Sequence, residues 1–414
     1  MSTSRRDRME KRNNKILPWV TFAATVIYAI AYVLMMIGLE IEIDTVPLRI
    51  VVFTTLGLSI VTIVLALVTA KINKVHDPMT ARVDSLSSRY TTFAVILSIL
   101  PIFIQLILFS FVPAFADLAE DDPARATFLR TVITIYVTGF PILLLSLRKV
   151  PAMKIEKRNM KFSFFILCIA VMAGLCLAGI CIGLPIELLL TSPFEDAAEA
   201  AEDVDKLAEI LMQSSFFDRV LVTGVLAPIF EELIFRKLLV SRTIRYGETF
   251  SILLSGFMFG LFHGNFQQFF FAMFVGMLFA FVFIRTGKVI YPILMHMTVN
   301  LSTSIVTTSL YIKLMPYLED ADNMLDLPAD MRLWFLVLMF WLLLLFSIAL
   351  TGFVLLFVFN KRFKPYKSPN EPSMIRIIGN SIQSPLFWSF IVICIADFAS
   401  AYLPNIAKYF MNNL

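Results

Sequence analysis

Long apolar segments constrain this chain more than any other feature of its sequence. Of its 414 residues, 58% are hydrophobic and 16% are charged, and the mean hydropathy is +0.81. Soluble proteins keep their exposed apolar patches small, so this composition excludes a water-soluble globular domain. Segments of about 20 apolar residues cross a bilayer as helices. The sequence therefore predicts an all-α fold, a polytopic membrane helical bundle of about eleven transmembrane helices, at approximately 16–39, 46–70, 91–116, 128–147, 163–190, 217–240, 249–264, 266–284, 289–312, 333–359 and 385–404.

Basic and acidic loops alternate between these segments. The N-terminal arm, residues 1–15, is basic, the first loop is acidic, and the alternation continues to a basic stretch at 361–376. Because inner loops carry an excess of Lys and Arg, we expect the N-terminus in the cytoplasm and the C-terminus outside. The net charge of +4 is dispersed over inner loops and reflects topology, so no nucleic-acid partner is expected. The expected partner of the apolar segments is membrane lipid.

Two of the three histidines and a pair of neighbouring glutamates lie within one window of four predicted spans, residues 217–312. They are His263, His296, Glu231 and Glu232. Charged groups inside a bilayer are costly and usually face a polar cavity, so this window is the candidate functional core. The predicted organisation is a basic cytoplasmic arm, N-terminal membrane helices with an acidic outer loop, the core, and C-terminal membrane helices, at 1–15, 16–210, 211–315 and 316–414.

The two glutamates are expected to play different parts. In the stretch APIFEELIFRKLL, residues 227–239, Glu232 and Arg236 stand one helical turn apart in the favourable order. This ion pair can offset much of the desolvation of both groups. Glu231 points in another direction and has no such partner, so it can serve as a general base. The alternative is that the helix ends near Phe230 and the charges are interfacial, but 217–230 is too short to cross a bilayer.

A second segment contains GFMFGLFHG, residues 256–264. Gly256, Gly260 and Gly264 recur every four residues, a small-residue stripe that allows close approach of another helix. His263 shares a face with Phe259, four residues earlier. Taken alone, such a histidine also fits a hydrogen-bonded packing residue.

A third segment contains HMTVN, residues 296–300. His296 and Asn300 lie one turn apart and project to the same side. An imidazole and a carboxamide placed together can hold a water or polarise a carbonyl oxygen. Pro292 is expected to loosen the helix nearby. The pair would also fit simple interhelical hydrogen bonding.

In this order on three of four consecutive segments, the patterns resemble the motifs of the CPBP intramembrane protease family, also called Abi. That family includes type II CAAX prenyl endopeptidases and bacteriocin-processing or bacteriocin-immunity proteins. The resemblance covers roughly residues 215–315. It implies a four-helix catalytic core and an intramembrane endopeptidase acting on a membrane-associated peptide or protein.

The resemblance also implies roles for individual residues. Glu231 would activate a water, with His263 completing its activation site, while His296 and Asn300 would stabilise the oxyanion. The supporting residues would be Glu232, Arg236 and Phe259. The cofactor stays open: Zn²⁺ would be held by Glu231, His263 and His296. We favour glutamate chemistry without an assigned metal, because the HExxH arrangement is missing.

Other readings of the same residues stay open. A non-catalytic immunity or sensor protein of the family would keep the cluster as structural contacts. A secondary transporter would also gather polar residues near the midplane, but it should show repeated halves, and no second copy of the cluster is present. The substrate is open between a prenylated CAAX protein and a bacterial peptide, pheromone or bacteriocin precursor, and we expect a multi-pass protein of the bacterial cell membrane.

Overall fold

The computed structural model describes residues 3–40, 46–72, 78–148, 150–191, 206–318, 327–367 and 373–412, and within them the chain is helical without strands. The fourteen helices are α1 Thr3–Glu40, α2 Val46–Ile72, α3 Pro78–Phe111, α4 Pro113–Asp121, α5 Pro123–Leu147, α6 Phe162–Thr191, α7 Lys206–Gln213, α8 216–243, α9 Glu248–Leu261, α10 Phe266–Thr286, α11 290–318, α12 Ala329–Val358, α13 Met374–Ile382 and α14 Pro385–Asn412. The predicted all-α membrane bundle is confirmed.

Eight helices in the described part of the chain are long and apolar enough to cross a membrane, namely α1, α2, α3, α5, α6, α10, α12 and α14. The other three predicted spans are helical but do not form single long helices. Wider turns divide α8 and α11, and α9 has only 14 residues. Most of the basic arm is helical and forms the first part of α1, which begins at Thr3. The predicted acidic loops at 191–210 and 319–330 lie largely outside the described residues.

The four-segment window lies between two groups of flanking helices. On one side, α1, α3 and α14 pack together and share a buried core with α8 and α9, which includes Tyr28, Phe93, Phe259 and Phe390. On the other side, α6 packs against α10 and α12. The flanking helices therefore enclose the segments that carry the candidate site residues.

Glycines set the closest contacts of this bundle. A Cβ added at Gly260 would lie 2.6 Å from the Phe269 carbonyl oxygen, and one at Gly256 would lie 2.5 Å from that of Met273. The predicted glycine stripe thus brings α9 against α10. Gly264 does not belong to this contact, because α9 ends at Leu261 and Gly264 adopts a left-handed φ of 71° in the following turn.

A second glycine contact joins α6 to α12. A Cβ at Gly352 would overlap the backbone of Ala170, and one at Gly174 would overlap that of Phe353. Close backbone approach is a common means of helix association in lipid, where apolar burial gives little driving force. This contact attaches α12, of which little is buried, to the bundle.

Candidate active site

A buried ion pair organises the middle of α8. Arg236 Nε lies 3.0 Å from Glu232 Oε2, and both side chains are fully buried. The Arg236 guanidinium stands 4.5 Å from the Phe259 ring centre and 5.2 Å from that of Phe279, and its Nη2 donates to the Gly276 carbonyl at 3.3 Å. Aromatic faces stabilise a desolvated cation. The predicted spacing of Glu232 and Arg236 thus gives the expected pair, between α9 and α10.

His296 of α11 reaches both glutamates. Its Nδ1 lies 3.1 Å from Glu232 Oε1, and its Nε2 lies 3.8 Å from Glu231 Oε2. A carboxylate accepts hydrogen bonds, so Nδ1 donates to Glu232 and directs Nε2 toward Glu231. The longer distance exceeds a direct hydrogen bond and suits a bridging water. Glu232 therefore contacts His296 as well as Arg236, which the sequence did not predict.

The two glutamates differ in accessibility. The Glu231 side chain is 31% exposed, whereas that of Glu232 is completely buried. Tyr136 of α5 stacks on Phe230, the residue before Glu231, with ring centres 4.6 Å apart. Sequence reasoning missed Tyr136, because a single tyrosine in an apolar span outside the window has no distinguishing pattern. Glu231 is thus the more accessible of the two carboxylates.

His263 lies in the turn after α9 rather than within the helix. Its Nδ1 is 2.7 Å from the Phe259 carbonyl oxygen. Because that oxygen only accepts, Nδ1 carries a hydrogen and the neutral ring keeps Nε2 as an acceptor. The Phe259 ring contacts both imidazoles, with ring centres 4.9 Å from His263 and 5.8 Å from His296. Within the described residues, no hydrogen bond or ion pair joins His263 to either glutamate.

Asn300 connects α11 to α8. Its Nδ2 donates to the Thr223 carbonyl oxygen at 2.8 Å, and the amide nitrogen carries a second hydrogen. The prediction that Pro292 loosens the helix was wrong, because α11 begins at Ile290 and the first turn tolerates a missing N–H. The wider turns lie instead at Leu301–Thr307 in α11 and on both sides of Ala227–Glu232 in α8. Such turns are frequent at functional sites.

The residues considered for Zn²⁺ do not fit a metal site. Across the described ranges, no group of three or more His, Cys, Asp or Glu side chains is arranged to hold a metal ion. The carbonyl on His263 Nδ1 leaves Nε2 as the one ring nitrogen that could bind a metal. Among the described residues, Glu231, His263 and His296 are nevertheless not grouped as a ligand set.

An apolar cavity of about 40 Å³ lies on another face of α8. Its walls include Tyr90 of α3, Leu239 of α8, Met258 of α9 and Phe390 of α14, and none of the predicted site residues lines it. This apolar cavity is therefore not part of the candidate site.

The candidate site lies in a segment that matches a known protein family. A family model described as Rce1-like, type II CAAX prenyl endopeptidase, matches residues 213–302. This match confirms the predicted resemblance and includes the positions from Glu231 to Asn300. Searches of curated proteins and of solved structures found no match. At the level of the family, the segment resembles a CAAX-type membrane protease.

Proposed function

We propose that this protein is an intramembrane endopeptidase that hydrolyses a peptide bond of a membrane-associated protein or peptide by means of glutamate-activated water. The observation that carries the proposal is the unequal placement of two adjacent carboxylates. Glu232 is buried against Arg236 and His296, while Glu231 is accessible and lies 3.8 Å from His296 Nε2. One carboxylate organises the site, and the other is placed to react.

The proposed reaction uses a water held between Glu231 and His296. Glu231 accepts a proton from this water as its oxygen attacks the peptide carbonyl carbon, and later transfers that proton to the leaving amine. His296 Nε2, when it carries a hydrogen, donates to the oxyanion together with the second N–H of Asn300. His263 Nε2 accepts a hydrogen bond from the incoming water or substrate.

The proposed topology places the N-terminus in the cytoplasm and the C-terminus outside, as the alternation of loop charges predicts. The description of the matching family names CAAX prenyl endopeptidases, so a C-terminal peptide with a lipid anchor is one substrate class to test. A bacterial precursor peptide without a prenyl group is the other. In both cases the substrate is held at the membrane.

The direct test is the Glu231→Gln variant of the full chain in liposomes. The reporters are quenched fluorescent CAAX peptides with and without a prenyl group, together with the peptides that accumulate in membranes of expressing cells. Loss of the general base should reduce cleavage by about 10²–10⁴-fold. Glu156→Gln is the matched control, because that carboxylate is exposed and its ion-pair partner in the described part of the chain is the exposed Arg158.

Two outcomes separate this proposal from its rivals. Full cleavage by Glu231→Gln, or no difference between its membrane peptides and those of the unchanged protein, would reject the catalytic assignment. An immunity or sensor protein would keep its cellular phenotype in this variant. Prenylated and unprenylated peptides distinguish the two substrate classes.

A further inference from the structure

The start of α10 is held by side chains from three different places. Phe266 N–H donates to the Tyr402 hydroxyl at 2.8 Å, Gln267 N–H to Glu187 Oε2 at 3.2 Å, and Gln268 N–H to Asn265 Oδ1 at 2.8 Å. The first amides of a helix have no partner within it. In a membrane they must be satisfied by protein groups. Here α6 supplies Glu187 and α14 supplies Tyr402, both outside the matched segment 213–302.

Glu187 and Tyr402 form one unit. Glu187 is only 4% exposed, and the Tyr402 hydroxyl donates a short hydrogen bond to Glu187 Oε2 while accepting from Phe266 N–H. A tyrosine hydroxyl can do both at once. A carboxylate is also favourable at the positive end of a helix. The buried acid thus has a structural reason to stay in this position.

Packing fixes the same point. A Cβ at Gly183 of α6 would overlap the Phe266 carbonyl oxygen, so only a glycine allows this approach. The Phe266 ring lies 5.0 Å from the Phe398 ring and 5.9 Å from the Tyr402 ring. The beginning of α10 is therefore enclosed between α6 and α14.

The turn between α9 and α10 transmits this restraint to His263. Asn265 Nδ2 donates to the His263 carbonyl oxygen at 3.2 Å, while Asn265 Oδ1 caps Gln268. His263 N–H donates to the Gly260 carbonyl at 3.1 Å. The imidazole stands beyond the end of α9, so its location depends on both sides of the turn.

We propose that Glu187 and Tyr402 are positioning residues that hold His263 in place for peptide hydrolysis. The inference rests on the proposed function and assigns α6 and α14 to the active unit. Small misplacements of a reacting group are costly to catalysis even when the chemistry is unchanged. Both residues reach His263 through the turn, by way of the hydrogen bonds at Phe266, Gln267 and Asn265.

Two variants that each change one functional group test this inference. Glu187→Gln keeps the shape and removes the charge, and Tyr402→Phe keeps the ring and removes the hydroxyl. We expect kcat to fall by about 10- to 100-fold with KM within about twofold. Amide exchange at Phe266 and Gln267 should rise about tenfold, while exchange in 228–236 stays unchanged. Glu156→Gln and Tyr366→Phe are the controls, because Glu156 pairs on the surface and Tyr366 is 61% exposed.

The double variant should be no worse than the more impaired single variant, since the hydrogen bond between Tyr402 and Glu187 makes the two residues one unit. An unchanged kcat in both variants, or unchanged exchange at Phe266 and Gln267, would overturn the inference. Should Glu187→Gln fail to accumulate, Tyr402→Phe decides by the same two readouts. Failure of the proposed function is seen separately, as full cleavage by Glu231→Gln.

Discussion

The two histidines of the candidate site are held by different means. His296 belongs to a charged interface between α8 and α11, where it meets Glu231 and Glu232 beside Arg236. His263 belongs to the outer turn, residues 262–265, and bonds to backbone carbonyls. The charged interface is built entirely within the segment that matches the family model. The outer turn relies on α6 and α14.

This difference indicates which substitutions should destabilise each half of the site. Buried charges with specific partners depend strongly on those partners, because an orphaned charge in low dielectric is very costly. A turn held by separate hydrogen bonds, most of them between neutral groups and one of them to the Glu187 carboxylate, depends on several weaker contacts, each contributing about 1 kcal/mol. We therefore expect the loss of one charged partner to destabilise the whole interface. Loss of one hydrogen bond should destabilise the turn only in part.

Arg236→Ala should produce the largest effect, because it leaves Glu232 buried without its cation. The expected loss is about 3–5 kcal/mol in the free energy of unfolding, measured by equilibrium unfolding in mixed micelles. Combining Glu232→Gln with Arg236→Met should recover part of it. Arg158→Ala, in an exposed pair, should leave stability unchanged. If Arg236→Ala and Arg158→Ala were equally stable, the interface would not be a charge-dependent unit.

Gly260→Ala should have an intermediate effect that reaches the outer turn. The added Cβ would meet the Phe269 carbonyl at 2.6 Å, and overpacking costs about 1–3 kcal/mol. Amide exchange should rise in 262–270 and not in 228–236. Gly57→Ala is the matched control, since a Cβ there meets nothing within 4 Å. Equal increases of amide exchange in 262–270 and 228–236 would show that the turn and the charged interface are not stabilised separately.

Asn265→Ala should have the smallest effect and stay within the turn. It removes the side-chain cap of Gln268 N–H, which costs about 1 kcal/mol. The loss of the cap is measured as faster amide exchange at Gln268. Asn265→Ser should restore most of the protection of this amide against exchange. A loss as large as that of Arg236→Ala would mean that the turn, too, behaves as a single unit.

The sequence predicted what depends on local spacing. The lengths of the apolar segments predicted the helices. The four-residue separation of Glu232 and Arg236 predicted their ion pair. The glycine pattern gave the contact of α9 with α10. The catalytic roles of Glu231, His263, His296 and Asn300 stay predictions.

What depends on packing between distant segments could not be predicted. The contact of His296 with Glu232 requires the relative rotation of α8 and α11, which neither helix encodes alone. Glu187, Tyr136 and Tyr402 are isolated polar residues in apolar spans, and their neighbours are set only in the folded bundle. The wider turns in α8 and α11 have no sequence pattern that a residue count reveals.

The glycine contact between α6 and α12 has a consequence for biosynthesis. About 180 residues separate Gly174 from Gly352, so at about 5–20 residues per second Gly174 is inserted roughly 10–40 s before its partner exists. During this interval the surface of α6 that later contacts α12 lacks that partner. A glycine surface is tolerated in lipid without its partner, because its backbone groups are hydrogen-bonded within the helix. A polar side chain at Gly174 would face lipid until α12 is inserted, so insertion as well as final packing restricts the residue type at this position.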